Sequence, residues 1–558
     1  MSANLEAGAG ETIWKSPVPG ARWLRTWRLG EWLRDPLSPL FETSLLPILA
    51  NGRESGGSGR LGVRMPRAWR VERPSYMVAN GYFFARADPD RLSVLLLPPR
   101  FLFSELSGGW VDRWERRALP AYLGRLDAYR ARAAAATPAR ALLSTLDELA
   151  LDVAEVWYVL SLASGGAAPL MQFLRGACGR PMGDVLGDDH LVLYRGFRTK
   201  AVEAQQSAFR LVREALASPK IVAWLEENPI DVLVGGAPDD AALAPFRGRL
   251  LDHLEAYGHE TGSLDFIEPT FAESPGPLAI ALRCYMSPSA ADPGESVERL
   301  AREREEATAK VRARLTGPRR ALFDALLARA QRYAVAREDA VFFLQMGWPV
   351  FRRVLLELGR RLAADDVLDA PDDVFFLTAG ELRDRATATS GGSLAAAVAE
   401  RRELREARRS LAPPVRIPAE AAAWERSMRW PINLREIGAK TERHRSVLVG
   451  TAASPGRVRA TARVLGFPSE FRRLRAGEVL VAVATTPSWT PLFSRAAAVV
   501  TDVGAISLHS SIVAREYGIP AVVGTQQATR AIRDGQVVTV DGTAGKVYLD
   551  EEPAPPGA

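Results

Sequence analysis

The chain is short of cysteine, histidine and lysine, and it has no long apolar run. Its two cysteines in 558 residues, Cys178 and Cys284, exclude a disulfide framework and cysteine-based metal spacing, and they suit a reducing cytoplasm. No apolar stretch approaches the ~20 residues a membrane-spanning helix needs, so no membrane partner is expected. The opening segment MSANLEAGAGETIWKSP has no basic-then-apolar signal pattern. Neither sign of charge dominates, since 72 Lys and Arg against 66 Asp and Glu leave +6 at neutral pH. The basic residues are mostly arginine and alternate with Glu, as in Ala301 to Arg314 (AREREEATAKVRAR). That pattern reads as a solvated helix face, and no nucleic-acid partner is expected. Also missing are a Gly-rich phosphate loop, a P-loop and a Lys-plus-acidic cluster suited to Mg-ATP.

What remains is an ordinary globular composition, 47% hydrophobic and 25% charged, in a chain too large for one core. The expected fold is multidomain α+β. A flexible lead covers 1–14, a mostly helical domain 15–440, a small α/β domain 441–550 and a disordered tail 551–558. Apolar residues recur at helical spacing over Leu142 to Ala163 and Val202 to Leu225, and again over 241–257, 295–314 and 318–363. Asn51 to Gly59 (NGRESGGSG) reads as a mobile loop. Val374 to Leu377 reads as a short strand, followed by a helix with Thr378 as cap and Glu381 at the capping-box position. From Pro413-Pro414 and Pro418 a linker-like region runs to about 445.

The most informative residue is His509, in TDVGAISLHSSIVAREYGIPAVVGT, Thr501 to Thr525. An apolar strand leads in, Gly504 allows a turn where a side chain would clash, and a helix opens near the histidine. Ser507, Ser510 and Ser511 surround the ring with hydroxyls, and Gly518-Ile519-Pro520 stops the helix before the next strand. A helix N-terminus has unpaired N–H groups and a positive dipole end, so it binds phosphate and disfavours imidazolium. A neutral imidazole there could attack phosphorus. The alternative for such a histidine is a cap or a loop contact.

This segment resembles the phosphohistidine (swivelling) domain of the PEP-utilising enzymes, a family that includes pyruvate phosphate dikinase, PEP synthase and rifampicin phosphotransferase. The likeness extends over about 447–550. It takes in Ala453-Ser454-Pro455-Gly456, Gly477 to Val481 (GEVLV), Thr485 to Leu492 (TTPSWTPL), Asp534-Gly535 and Val540-Asp541-Gly542-Thr543. It implies that His509 accepts and passes on a phosphoryl group, with Thr501, Gly504, Ser507, Ser510 and Ser511 as phosphate and turn support. Three positions depart from the family pattern: Ala505 for a second Gly, Leu508 for the Ser before the histidine, and Thr486 for an Asp.

The preceding region resembles the substrate-binding domain of rifampicin phosphotransferase-type enzymes. The likeness rests on the Trp-rich opening with Pro39-Leu40, on Tyr257-Gly258-His259 with Asp265 and Pro269 to Glu273, on Arg337-Glu338, and on Pro371 to Leu382. It implies that Arg337 and Glu338 lie near the phosphoryl-transfer cleft, where Val341 replaces the family's Lys, and that His259 and Asp265 are acceptor-site candidates. For Arg337 an ion pair with a nearby Glu is the competing role, and for His259 a loop position held by backbone contacts. By the resemblance, ATP and Mg2+ act at a separate ATP-grasp partner, and the family splits ATP into AMP and phosphate. No metal site is assigned to this chain. The acceptor would be a hydroxyl of a small organic molecule, with a net dehydration as a further outcome. Two alternatives stay open: a non-catalytic binding or scaffold protein, and a phosphate-independent enzyme with His509 as general base.

Overall fold

The computed structural model describes residues 14–25, 28–51, 74–86, 110–133, 137–186, 190–236, 243–286, 292–388, 392–411, 413–418, 447–466, 468–485, 489–504 and 509–549. Residues 1–13 of the expected lead, 52–59 of the expected loop, 419–445 of the expected linker and the whole tail 551–558 lie outside them, while Asn51, expected in the loop, closes the helix Leu45–Asn51. The fold is α+β, a large helical region followed by a small C-terminal α/β module. The chain divides into two compact units, each discontinuous in sequence. One comprises Met1–Gly166, His259–Pro269 and Ala340–Glu420, and the other Ala167–Gly258, Thr270–Asp339 and Ala421–Ala558. The helical stretch expected as one domain over 15–440 is thus shared between both units.

The first unit holds a four-stranded antiparallel sheet that the helical reading did not include. Its strands are β1 (Trp23–Leu24), β2 (Tyr76–Ala79), β3 (Tyr82–Arg86) and β4 (Arg416–Ile417), in the order β2-β3-β1-β4. Asn80 and Gly81 both take positive φ and turn β2 into β3, the two-residue hairpin that such a pair favours. The segment over 413–418, expected as linker, instead pairs β4 with β1. The expected helix over 318–363 is two helices, Gly317–Gln345 and Trp348–Ala364. Pro349 lacks an N–H and suits the first turn of a new helix better than the interior of a long one.

Val374 to Leu377 is not a strand. Residues Pro371–Phe376 form a 3-10 helix, next to which the Ala370 N–H donates to the Asp373 carboxylate at 2.9 Å. Pro371 presets the helical φ, and Val374, Phe375 and Phe376 are all buried with no strand among the described residues paired to them. The next helix, Ala379–Thr387, starts as expected. The Glu381 N–H donates to Thr378 Oγ1 at 3.2 Å, and the Thr378 N–H donates to the Glu381 carboxylate at 2.8 Å.

The second unit joins the helices Lys200–Leu216, Pro219–Glu227, Ala244–Tyr257, Gly276–Tyr285 and Pro293–Ala313 to the C-terminal module. The expected continuous helix over 202–225 breaks at Ser218-Pro219. On Pro293–Ala313, Arg299 and Glu303 form the outward i,i+4 pair that a solvated face implies. Arg304 turns inward, donating to the carbonyls of Arg195 and Gly196 and covering the Phe197 ring at 4.1 Å.

The module is an eight-stranded sheet of β5 (Val447–Val449), β6 (Thr451–Ser454), β7 (Arg457–Leu465), β8 (Val479–Ala482), β9 (Ala498–Thr501), β10 (Ala521–Val523), β11 (Val537–Asp541) and β12 (Lys546–Tyr548). The order is β5-β12-β11-β7-β8-β9-β10-β6, and β7 through β10 are mutually parallel. Strands covered on both faces need apolar residues at every position, and VLVA, AVVT and AVV are buried throughout. Successive residues of β8 serve opposite cores. Val479 and Val481 join Ala498, Val500, Ile532 and Val540 on one face, whereas Leu480 and Ala482 join Phe471, Trp489, Leu492 and Val513 on the other. Ile280 and Cys284 of the helix Gly276–Tyr285 belong to that second core, which is why these helices and the module form one unit.

Three separated sequence blocks meet at the edge of the module. Ser454 pairs with Ala521 across β6 and β10, the Gly542 N–H donates to the Gly456 carbonyl at 2.9 Å, and the Gly456 N–H donates to Thr543 Oγ1 at 3.0 Å. The ASPG, GIPA and VDGT motifs are therefore one structural junction.

Candidate functional site

The candidate site lies at the carboxyl ends of β8 and β9, the edge where open parallel sheets bind ligands. Ala482 stands opposite Thr501, and pairing continues beyond the strands. The Asp502 N–H donates to the Ala482 carbonyl at 3.1 Å, and the Val503 N–H donates to the Val483 carbonyl at 2.8 Å. The described chain runs to Gly504 and resumes in the helix His509–Tyr517, whose first described residue is the histidine. Gly518-Ile519-Pro520 ends it before β10. Ser507, with Ala505 and Leu508, lies outside the described residues, and of His509 the structure describes the backbone.

The turn is held by a dense set of bonds. The Thr501 carbonyl accepts from the Thr525 N–H at 3.0 Å and from Thr525 Oγ1 at 2.9 Å. The Asp502 carboxylate accepts from the Thr529 N–H at 2.9 Å and from Thr529 Oγ1, and the Gln526 N–H donates to the Asp502 carbonyl at 2.8 Å. Burial pushes the Asp502 pKa up, while the Thr529 bonds oppose that shift. A Cβ on Gly504 would come to 2.5 Å from Val523 Cβ and 3.1 Å from Thr501 Oγ1. Glycine is what lets the backbone at 504 lie against Val523 of β10. Thr501 and Ser511 are fully buried, and Ser510 nearly so.

The far end of the same helix lies near Glu338. Burial, and after it the Glu338 carboxylate, pushes the Glu516 pKa up to about 7. Arg299 donates to the Glu516 carbonyl at 3.2 Å, and Arg515 donates to the Ala453 carbonyl at 2.7 Å. Glu516 stands seven residues after His509, about 10 Å along the helix axis. Arg337 forms an ion pair with its neighbour, Nε to Glu338 Oε1 at 3.0 Å. The next residue, Asp339, accepts from the Lys200 N–H at 2.8 Å, and burial pushes its pKa up to about 6.

His259 and Asp265, the acceptor-site candidates, belong to the other unit. Asp265 is buried with its carboxylate occupied. It accepts from the Ser38 N–H at 2.6 Å, Ser38 Oγ at 2.5 Å and the Ile267 N–H at 3.2 Å, and so anchors Ser38 as cap of the helix Pro39–Thr43. His259 is buried edge-on against Phe342, with ring centroids 4.4 Å apart, and its Nε2 has no partner among the described residues. Burial pushes its pKa down to about 4, so the ring is neutral near pH 7. The adjacent Glu260 is pushed up to about 7 by burial. The structure thus brings the His509 helix, Arg337 and Glu338 into one unit and His259 and Asp265 into the other.

Sequence reasoning passed over Asp502, Thr485 and Glu516. Asp502 was legible, because it completes the Thr-Asp pair that enters the turn. Glu516 carried no signal, since a Glu in the last turn of a polar helix reads as solvated. Among the described residues no group of three or more His, Cys, Asp or Glu could hold a metal ion, and no helix is long and apolar enough to cross a membrane.

Comparison with known proteins matches two stretches of the chain. Residues 474–545 fit the model described as "PEP-utilising enzyme, mobile domain", and residues 162–338 fit "Rifampicin phosphotransferase fourth domain". Chondramide synthase cmdD of Chondromyces crocatus is 32% identical over 378 residues, 65% of this chain and 10% of that protein. A rifampicin phosphotransferase of Streptomyces sviceus is 32% identical over 322 residues, 56% of this chain and 36% of that protein. A probable phosphoenolpyruvate synthase of Archaeoglobus fulgidus is 46% identical over 114 residues, 20% of this chain and 15% of that protein. The matched part is well under half the length of each of these relatives. The mobile-domain match contains Thr501 and the helix His509–Tyr517, so the chain carries a domain similar to the mobile domain of PEP-utilising enzymes together with one similar to the fourth domain of rifampicin phosphotransferase.

Proposed function

We propose that this chain is a phosphotransferase component that carries a phosphoryl group on His509 and delivers it to a hydroxyl of a small organic acceptor. The observation that carries this reading is the helix His509–Tyr517, which follows β9 in the chain and has the histidine as its first described residue. A helix N-terminus there offers unpaired N–H donors to an anion and favours the neutral, nucleophilic imidazole. In loading, a ring nitrogen attacks the donor phosphorus. The N–P bond forms as the P–O bond to the leaving group breaks, and the electron pair leaves on that oxygen. In delivery, the acceptor oxygen forms the new O–P bond, the N–P bond breaks, and its electron pair returns to the imidazole. The hydroxyl proton passes to a base or to water.

ATP activation is assigned to a separate ATP-grasp subunit, where Mg2+ would also act, as the resemblance to the PEP-utilising enzymes implies. Ser507, Ser510, Ser511, Thr501 and Gly504 support the loaded turn. Arg337 and Glu338 stand on the helix Gly317–Gln345, whose Glu338 acts on Glu516 of the His509 helix, and His259 remains the acceptor-side candidate. Asp265 serves that side indirectly, through the fold. Elimination of the transferred phosphate would complete a net dehydration of the acceptor. The rifampicin phosphotransferase relatives support a small organic acceptor, and the scarcity of cysteine fits a cytoplasmic setting.

The test is intact-protein mass after incubation with ATP, Mg2+ and an ATP-grasp protein encoded beside this one. The expected result is an acid-labile gain of one phosphoryl group that is lost in His509→Ala. Acceptor turnover without any nucleotide, or phosphorylation that persists in His509→Ala, would refute it.

A further inference from the structure

We propose that the C-terminal module is held against the helices of its own unit by a proton-dependent latch: the Glu516 carboxyl, set near Glu338, must carry a proton for the module to stay docked. This rests on the reading of that module as the phosphoryl carrier, whose docking the latch would regulate.

Two kinds of contact make the dock. Ile280 and Cys284 of the helix Gly276–Tyr285 are buried in one core with Phe471, Trp489, Leu492 and Val513 of the module. In the last turn of His509–Tyr517, Arg299 of the helix Pro293–Ala313 donates to the Glu516 carbonyl at 3.2 Å. The apolar core is indifferent to pH. The last turn is not, because it sets Glu516 near a second carboxylate, Glu338 of the helix Gly317–Gln345.

Two like charges in one contact disfavour each other's ionisation unless cations stand between them. The cations at this contact are engaged elsewhere. Arg337 pairs with Glu338 itself, Nε to Oε1 at 3.0 Å. Arg299 donates to the Glu303 carboxylate at 2.9 Å and, at Glu516, to the carbonyl rather than the carboxylate. Arg515 favours the charged form of Glu516 by its own charge, and it donates to the Ala453 carbonyl at 2.7 Å. The Glu516 carboxylate accepts no hydrogen bond from any described residue. The other elements packed on this helix, β6, β9, β10 and the short helix Thr490–Phe493, carry no ionisable side chain. Burial pushes the phenols of Tyr285 and Tyr517 and the Cys284 thiol up, away from neutrality.

A proton is what removes the repulsion. Burial first, and Glu338 after it, push the Glu516 pKa up to about 7, against 4.5 for the free group. The docked state therefore holds a proton that an undocked module releases. This contribution to docking is complete below about pH 4.5 and is lost as pH rises through about 7. Near neutral pH the two forms are close to balance, which suits a carrier that must leave its dock and return.

The test reads docking through Cys284, buried in the shared core. Full-length protein carrying Cys178→Ala keeps this one thiol. Its labelling by dithionitrobenzoate is followed from pH 6 to pH 8.5, each rate divided by that of the urea-unfolded protein at the same pH. The quotient removes the ionisation of the thiol and leaves the opening equilibrium. The expected result is an opening that rises about tenfold over this range, the factor implied by a pKa of about 7 docked and 4.5 undocked. Glu516→Gln, which mimics the protonated side chain, should open equally at every pH, and Glu338→Gln should show a smaller rise than wild type. A wild-type rise no larger than that of Glu516→Gln would overturn the proposal. Labelling with the urea dependence of global unfolding would overturn it too, since the thiol would then report loss of the whole fold. The readout needs no phosphate, so the latch can fail while His509 still loads, and failed loading would leave the opening measurement standing.

Discussion

Gly504→Ala is the sharpest test of how the turn before His509 is built. The added Cβ would stand 2.5 Å from Val523 Cβ and 2.9 Å from Val523 Cγ2. Carbon atoms in contact prefer about 3.5–4.0 Å, so the gap is short by about 1 Å. The Cγ2 clash can be relieved by rotating the valine. The Cβ clash cannot, because that atom is fixed to the backbone of β10. Either the turn or the strand must shift, which costs about 1–3 kcal/mol in a well-packed interior. The assay is a double-mutant cycle by urea unfolding, followed by phosphoryl loading of His509. Val523→Ala retains the offending Cβ and should not rescue Gly504→Ala. Val523→Gly removes it and should show a favourable coupling of about 1 kcal/mol or more. Loading should fall in Gly504→Ala and recover in the double variant with glycine. A Gly504→Ala protein as stable as wild type, or one rescued equally by Val523→Ala, would refute the close-approach argument.

Three further outcomes are expected. Glu516 has a folded pKa of about 7 against 4.5 for the free group. The folded state therefore holds a proton that the unfolded state releases, and this contribution to stability declines as pH rises from about 4.5 to about 7. Glu516→Gln should be neutral near pH 4 and stabilising by about 1–2 kcal/mol at pH 8, once solvent screening of this partly exposed group is discounted. Equal melting-temperature differences at the two pH values would contradict the sign. Asp265→Ala should destabilise the first unit by about 2–4 kcal/mol, since it leaves the Ser38 N–H and hydroxyl buried without an acceptor. The same variant should still load His509 normally, and a loading defect at full stability would return Asp265 to the chemistry. Breaking the Arg337–Glu338 pair with Glu338→Gln should lower the Glu516 pKa as well, read as a weaker pH dependence of stability. An unchanged profile would show that burial alone sets it.

The module was the most legible part of the chain. VLVA, AVVT and AVV are strands because residues buried on both faces leave a continuous apolar signature, and Gly504 with Gly518-Ile519-Pro520 punctuates the helix between two of them. The capping box at Thr378 and Glu381 was legible for the same local reason. The helical region was read less well. Val374 to Phe376 has strand composition, yet no strand among the described residues pairs with it, and Pro371 with Asp373 closes it into a 3-10 turn. The break before Trp348 was visible as Gly347 and Pro349 within an otherwise helical rhythm. The pairing of β4 with β1 joins residues nearly four hundred positions apart, and no local pattern encodes such a partner.

The amino-acid sequence alone pointed to the nucleophile candidate, to the strands and helix on either side of it and to the domain resemblances, because these depend on short-range spacing, backbone restrictions and local apolar periodicity. Only the tertiary structure decided that Ile280 and Cys284 share a core with the module, that Glu338 acts on Glu516, that Asp265 is bound to Ser38, and that the Thr485 and Thr501 hydroxyls are left without partners among the described residues. Each of these is a contact or a missing contact between distant residues, and packing, unlike local propensity, is not written in any one segment.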